Sequence, residues 1–198
     1  MKTIHVSASR DYDVLIGSGL LAQAGERIAA RTCSACAAVV SDDRVFGLYG
    51  ARVCASLEQA GMRVVSYVFP HGESSKNLLE YAKILNFLAE SRVTRTDCLV
   101  ALGGGVTGDM GGFAAATYLR GIHFVQLPTT LLAAVDSSVG GKTAVDLPAG
   151  KNLAGCFYQP DLVLCDLDTL TTLPREIFLD GCAEVIKYGV LGSRELFE

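Results

Sequence analysis

The chain has 198 residues, half of them hydrophobic, and a formal net charge of −4 at pH 7. This length predicts one large domain, or one domain and the start of another, with ample apolar material for a core. The acidic balance offers no basic surface for nucleic acid, and no apolar run reaches the ~18–20 residues of a membrane span. Since the N-terminus also has no apolar core of signal-peptide length, we expect a cytoplasmic protein that binds neither nucleic acid nor a membrane.

Most of the chain alternates between predicted strands and helices. Strand-like apolar runs are "KTIHVS", "DYDVLIG", "AAVVSD", "RVVSYVFP", "CLVAL", "IHFVQLP" and "DLVLCDL". Apolar residues at helical spacing lie between them at 20–30, 45–60 and 77–90, and "GGFAAATYL" suits a tightly packed helix. Short buried strands alternating with helices predict an α/β fold, a Rossmann-like parallel sheet with helices on both faces.

The character of the sequence changes near Pro174. From Arg175 the text is helical, and it stops at Glu198 without a terminating signal. We therefore expect an α/β domain over residues 1–173. Residues 174–198 are expected to form the first helix of a truncated, all-helical second domain.

Seven scattered cysteines, an odd number, indicate reduced thiols more than a disulfide framework. Cys33 and Cys36 form a CxxC pair, which by itself is weak support for a metal or redox site.

The segment "VALGGGVTGD", residues 100–109, runs from a predicted buried strand into glycines. Gly103, Gly105 and Gly108 fit the dinucleotide pattern G-x-G-x-x-G, in which bare main-chain amides and a helix N-terminus hold phosphate. A tight strand-to-helix turn without a ligand is the alternative. The segment follows the fourth strand of the alternating series, not the first, so a dinucleotide would bind in a variant arrangement.

Acids and lysines follow several other strands. Asp42 and Asp43 end "AAVVSD" and could either accept from a ribose hydroxyl or cap the next helix. "HGESSKN" carries Glu73 and Lys76 and is either a nucleotide contact or a solvated loop.

The later polar, glycine-rich loops "LPTTLLAAVDSSVGGKTAVD" and "GKNLAG" would bring Lys142, Lys151 and Asn152 towards Asp136 if both line one cleft. Such a group suits a phosphorylated or carboxylated small molecule, with a surface salt bridge as the alternative.

In "GCAEVIKYG", Glu184 and Lys187 share one helical face among apolar neighbours. They form either an exposed ion pair or part of a metal or substrate site.

These stretches together resemble the 3-dehydroquinate synthase family of the shikimate pathway, which serves aromatic amino acid biosynthesis. "DSSVGGKTAV" followed by "GKNLAGCFYQP" is the specific part of the resemblance, and "CAEVIKYG" adds to it. The resemblance implies a lyase that uses catalytic NAD and a divalent metal, zinc or cobalt. Its substrate would be 3-deoxy-D-arabino-heptulosonate 7-phosphate, its products 3-dehydroquinate and phosphate, and its full-length state a homodimer.

The same resemblance implies roles for individual residues. Contacts to NAD would come from Asp42, Glu73, Lys76, Gly104, Gly105, Val106, Thr107, Gly108, Asp109, Thr129, Thr130, Lys142, Lys151, Thr169, Leu170, Thr171 and Thr172. The substrate would meet Asp136, Lys142, Asn152 and Lys187, with Arg120 reaching its phosphate across a dimer interface. Glu184 would be a metal ligand.

The chain departs from the family in its histidines. The family takes two further metal ligands, both histidines, from its helical domain, whereas this chain has only His5, His71 and His123 in its first part. We therefore expect the 198-residue chain alone to bind NAD weakly and to be inactive. Two other readings stay open: another sugar phosphate cyclase, and a metal-dependent polyol or alcohol dehydrogenase of related fold. A cofactor-binding module that serves only as an interaction piece is a third.

Overall fold

A computed structural model describes residues 1–192 and 194–198 and shows a seven-stranded sheet covered by helices. The strands in this part of the chain are β1 (Lys2–Val6), β2 (Tyr12–Gly17), β3 (Cys36–Asp42), β4 (Arg63–Phe69), β5 (Cys98–Gly103), β6 (His123–Pro128), β7 (Lys142–Leu147), β8 (Gly150–Phe157) and β9 (Leu162–Asp166). The order in the large sheet is β1-β2-β9-β6-β5-β3-β4. All its neighbours pair in parallel except β1 with β2, which confirms the predicted fold class.

Five of the described α-helices lie between strands, as the apolar spacing predicts, and two follow the last strand. They are α1 (Ala24–Thr32), α2 (Asp43–Val45), α3 (Ala51–Gln59), α4 (Leu78–Glu90), α5 (Gly105–Thr117), α6 (Arg175–Gly192) and α7 (Arg194–Phe197). A π-helical turn, Phe46–Gly50, joins α2 to α3, so the predicted helix over 45–60 is found in three segments.

The core has two layers because the central strands are buried on both faces. In β3, Ala37 and Val39 belong to the cluster under α1 and α3, whereas Ala38 and Val40 belong to the cluster under α4 and α5. Alternate side chains of a strand point to opposite faces, so a strand that is apolar throughout must be covered twice.

One element differs from the prediction. The segments around Lys142 and Asn152 were expected to be loops, but they form the antiparallel hairpin β7–β8. The hairpin packs on α5, where a Cβ added to Gly112 would lie 2.4 Å from Cγ2 of Thr143. Glycine at this position lets the helix lie close to both the sheet and the hairpin.

The last helices follow the α/β body in the chain, and α6 packs on the turn Ala133–Ser137. Main-chain Phe178 N donates to Pro174 O as α6 begins, in agreement with the change of character at this proline. Several apolar side chains of α6 are exposed, including Leu179, Ile186 and Leu191. The division into domains at residues 173 and 174 stays a prediction. Across the described residues, no helix combines the length and apolar character that a bilayer crossing requires.

Candidate functional site

The carboxyl ends of the parallel strands open onto two adjoining cavities. The first, about 800 Å³, is called the glycine cavity and is lined by Asp42 at the end of β3, Gly104 after β5 and Thr129 after β6. The second, about 580 Å³, is called the hairpin cavity and is lined by residues of β7 and β8. Asp109, Asp136 and Ser137 border both cavities. This edge of a parallel sheet is where α/β proteins bind ligands.

The glycine segment places the first main-chain amides of α5 at the glycine cavity. Gly104 precedes α5 and supplies no side-chain cap, and Gly104, Gly105, Val106 and Thr107 all line the cavity. The first amides of a helix have no intrahelical acceptor, and they attract anions together with the helix dipole. Gly108 instead faces the sheet, where an added Cβ would lie 2.6 Å from Oε1 of Gln126. It allows α5 to pack against the sheet.

Thr107 and Thr129 line the same cavity and have buried hydroxyls. Thr107 and Thr129 are 1% and 3% exposed, and neither Oγ1 has a hydrogen-bond partner within the part of the chain described. Burying a hydroxyl without a partner is costly, so two such groups at one cavity favour a polar ligand there. The Oγ1 of the neighbouring Thr130 accepts from the amide of Ala133 and also lines the cavity.

Asp42 at the end of β3 and Asp43 at the start of α2 both make local hydrogen bonds. Oδ1 of Asp42 accepts from the amides of Arg44 and Val45, so the capping alternative is present, and Asp42 also lines the glycine cavity. Asp43 accepts from the main-chain N and from Nδ1 of His71. This histidine lowers the pKa of the Asp43 carboxyl below its usual range. The pair ties the start of α2 to the loop after β4.

A buried ion pair separates the two cavities. Lys76 is 5% exposed, and its Nζ lies 2.5 Å from Oδ2 of Asp109 and 2.5 Å from Oδ1 of Asn152. Burial raises the pKa of the Asp109 carboxyl, while Lys76 acts in the opposite direction. The ammonium is therefore shared between a carboxylate of the glycine cavity and an amide of the hairpin cavity.

Glu73 and Lys151 form a second ion pair, which is more exposed. Lys151 Nζ lies 3.1 Å from Oε1 of Glu73, and this contact raises the pKa of the lysine. Glu73 lines the glycine cavity, whereas Lys151 lines neither cavity and points towards Glu73. The expected convergence of Lys151 with Asp136 is thus absent among the described contacts of this lysine.

The hairpin cavity collects the other residues that were expected to converge. Lys142 at the start of β7, Asn152 on β8 and Asp136 in the π-helical turn Ala133–Ser137 all line it. Tyr188 of α6 donates to Oδ1 of Asp136 over 2.5 Å, and this bond raises the pKa of the tyrosine. The cavity offers an ammonium, an amide and a carboxylate to one small polar molecule.

Glu184 and Lys187 contact each other on α6, and the ammonium also lies 4.8 Å from the ring centroid of Tyr188. The glutamate raises the pKa of Lys187. Among the described residues no group of three or more His, Cys, Asp or Glu side chains could hold a metal ion. The contact is the exposed ion pair that the sequence left as one alternative.

Two groups of expected contacts lie apart from the cavities in this chain. Arg120 sits in the 3₁₀ turn Tyr118–Arg120 after the end of α5, at the edge of the sheet opposite to the cavities. Within the turn Leu167–Thr172, only Thr172 lines the glycine cavity, and its Oγ1 contacts the hydroxyl of Tyr49. Thr169 is buried, and Leu170 and Thr171 lie outside the lining.

The apolar wall of the glycine cavity was not predicted from the sequence. Leu48 and Tyr49, in the π-helical turn after α2, and Ile177 of α6 line it. In the sequence these residues have the spacing of any buried helix face. What distinguishes Leu48 from a core residue is its exposure in the structure, at 59%. A sequence pattern carries no signal for this.

Together, the fold and the two cavities define a Rossmann-like α/β domain with a glycine-rich ligand cleft. Residues 66–180 match the family described as 3-dehydroquinate synthase N-terminal. The 3-dehydroquinate synthase of Rhizobium leguminosarum bv. trifolii is 50% identical over 198 residues, covering 100% of this chain and 53% of the relative. That of Caulobacter vibrioides is 53% identical over 200 residues, covering 100% of this chain and 54% of the relative.

A solved structure shows the same architecture. The crystal structure of 2-deoxy-scyllo-inosose synthase complexed with carbaglucose-6-phosphate, NAD+ and Co2+ has a TM-score of 0.86 at 29% identity, over 94% of this chain and 51% of that one. The chain belongs to the 3-dehydroquinate synthase N-terminal family, as the resemblance predicted. It spans about half the length of the curated relatives it matches.

Proposed function

We propose that the complete protein is a 3-dehydroquinate synthase and that this chain supplies its NAD-binding half. The reaction would convert 3-deoxy-D-arabino-heptulosonate 7-phosphate to 3-dehydroquinate and phosphate, which makes the enzyme a phosphate-eliminating lyase. The observation that carries the proposal is the row of uncapped amides from Gly105 to Thr107 beside a cavity of about 800 Å³. The identity of about 50% to enzymes of that name supports the choice of reaction.

The glycine cavity fits NAD on physical grounds. The amides at the start of α5 suit the pyrophosphate, and the hydroxyls of Thr107 and Thr129, which have no hydrogen-bond partner among the described residues, offer polar contacts. Both cap bonds of Asp42 go to Oδ1, so its Oδ2 could accept from a ribose hydroxyl. When bound, NAD would supply the hydride-accepting and hydride-donating chemistry that the phosphate elimination needs, and these residues would hold and orient it.

The hairpin cavity would hold the sugar acid phosphate. Lys142 offers a cation to its carboxylate or phosphate, Asn152 offers amide N–H donors, and Asp136 accepts from hydroxyl groups. Because Asp136 and Asp109 border both cavities, a substrate here would lie beside a cofactor in the glycine cavity. Such adjacency is what a hydride transfer requires.

Three further features belong to the proposal. A metal at Glu184 would need ligands from outside the described residues, since these contain no three-ligand group. Lys187 lies one helical turn from Glu184 and would meet the substrate on that side. Arg120 would reach a phosphate only in a neighbouring copy, which fits a homodimer. The cytoplasmic location stays a prediction from the sequence.

Calorimetry and a phosphate-release assay on the complete protein test this function. We expect NAD binding, release of one phosphate per molecule of sugar acid phosphate consumed, and no net accumulation of NADH. The 198-residue chain alone, given NAD and zinc or cobalt, should show no turnover. Absence of NAD binding to the complete protein would remove the proposal.

The same assay separates the alternatives. A panel of sugar phosphates distinguishes this enzyme from other sugar phosphate cyclases, since each should eliminate phosphate from its own substrate. Accumulation of NADH with a simple diol would instead indicate a polyol or alcohol dehydrogenase.

A further inference from the structure

Asn152 has a backbone conformation that needs support. Its φ of 58° lies in the left-handed region, which asparagine tolerates better than most residues but does not favour. Two contacts hold it in place. Its main-chain N donates to Oδ1 of Asp146 over 2.7 Å, and its side-chain Oδ1 accepts from Nζ of Lys76 over 2.5 Å.

Asp146 is placed for this contact by an irregularity of the hairpin. The pairing of β7 with β8 shifts register between Val145 and Leu147, so Asp146 has no partner across the ladder. Its main-chain N donates instead to the carbonyl of Lys76 over 2.9 Å, in a bridge with the segment before α4. The extra residues lie on β8, where residues 151–153 stand opposite Asp146 alone, and this bulge brings the main-chain N of Asn152 to the Asp146 carboxylate.

These bonds determine which end of the Asn152 side chain is available. An ammonium group only donates, so the atom that faces Lys76 must be the amide oxygen. The amide nitrogen Nδ2 then has no protein acceptor within the structure's described part, and Asn152 lines the hairpin cavity beside Lys142. The side chain is thus set as a donor towards a ligand oxygen.

We propose that Asp146 is a positioning residue for the hairpin cavity: it fixes the Asn152 main chain so that Nδ2 donates to an oxygen of the bound sugar acid phosphate. Asp146 itself contacts no ligand. The inference rests on the proposed function for the identity of that ligand, but its structural part does not.

The test compares Asp146→Ala, Asp146→Asn, Asn152→Ala and the double variant D146A/N152A in the complete protein. Asn keeps the acceptor oxygen and loses the charge, whereas Ala loses both. We expect D146A to raise KM for the sugar acid phosphate roughly tenfold, the size of one lost hydrogen bond, with the Kd for NAD changed less than about twofold. D146N should stay within about twofold of the wild type, and D146A should add nothing to N152A.

Hydrogen exchange at the main-chain N–H of Asn152 measures its hydrogen bond to Asp146 in the absence of any ligand. We expect D146A to speed this exchange at least about tenfold and D146N to leave it protected. Unchanged exchange in D146A overturns the positioning claim whatever the enzyme does. A D146N variant with as large a rise in KM as D146A would also overturn it, because it would indicate an effect of charge. A double variant whose rise in KM is the product of the two single effects would overturn it as well. A wild-type protein without phosphate release would overturn the proposed function, while the exchange result still decides the role of Asp146.

Discussion

Lys76 Nζ lies 2.5 Å from Oδ2 of Asp109, and this ion pair separates the glycine cavity from the hairpin cavity. The side chains are only 6% and 18% exposed, so each charge depends on the other for compensation. Removing one partner of a buried pair costs far more than the pair itself contributes. The same pair therefore stabilises the folded domain and holds Asp109 in place at the border of the two cavities.

Lys76→Met should lower the free energy of unfolding by about 3 kcal/mol, because Asp109 is left buried without a cation. Urea denaturation monitored by circular dichroism measures this. In the double variant Lys76→Met/Asp109→Leu much of the loss should return, since no charge remains buried. A double variant as unstable as the single one would show that packing of the lysine stem, not its charge, accounts for the effect.

Asp109 should also make stability depend on pH. Its pKa is raised by burial, so the folded state holds this proton more tightly than the unfolded state does. Asp109 therefore contributes stability at a pH below its pKa in the unfolded chain. That contribution is lost as the pH rises through its pKa in the folded state. Relative to Asp109→Asn, the wild type should gain stability as the pH is lowered from 7 towards 4. Parallel pH profiles for the two proteins would contradict this.

Thr107→Val should separate ligand binding from folding. The Thr107 hydroxyl has no protein partner among the described residues, so an isosteric methyl should leave the melting temperature unchanged or slightly higher. NAD affinity should fall roughly tenfold if the hydroxyl serves the cofactor. Thr143→Val is the matched control, because the Thr143 hydroxyl donates to the carbonyl of Cys156 and its loss should lower stability. Equal NAD affinity in T107V and the wild type would show that the Thr107 hydroxyl does not contact NAD.

Gly112→Ala should destabilise the contact between α5 and the hairpin. The new Cβ would lie 2.4 Å from Cγ2 of Thr143, and overpacking of this kind costs about 1–3 kcal/mol. Gly47→Ala is the control, since a Cβ there meets nothing within 4 Å. Thermal unfolding of the two variants gives the comparison, and a Gly112→Ala protein as stable as Gly47→Ala would mean that the hairpin shifts freely.

The thiols should react in the order of their burial. All seven cysteines are free; Cys33 is exposed, whereas burial raises the pKa of Cys98 and of Cys165 to about 12. Thiolate is the reactive form, so iodoacetamide at pH 8 should label Cys33 first and spare the other two until the protein unfolds. Peptide mass spectrometry reads the sites directly. Early labelling of Cys98 in the folded protein would contradict the burial of β5.

The sequence by itself determined the alternating order of strands and helices and the place of the glycine segment. Apolar runs such as residues 98–102 are short and buried on both faces, so their pattern reflects local burial. The change at Pro174 was readable for the same reason, since a proline and a new helical spacing are local signals. The motifs around Gly104 and Asn152 were also visible, because they depend on residue type and spacing.

Only the tertiary structure decided how those residues combine. The β7–β8 hairpin was not predicted because its glycines and polar residues are typical of loops, whereas its strands are held by packing on α5. Likewise, the contacts of Lys76 with Asp109 and Asn152 join positions 33 and 76 residues apart along the chain. Such contacts form where chain segments meet in space, and a linear pattern does not encode which ammonium will be buried between two cavities.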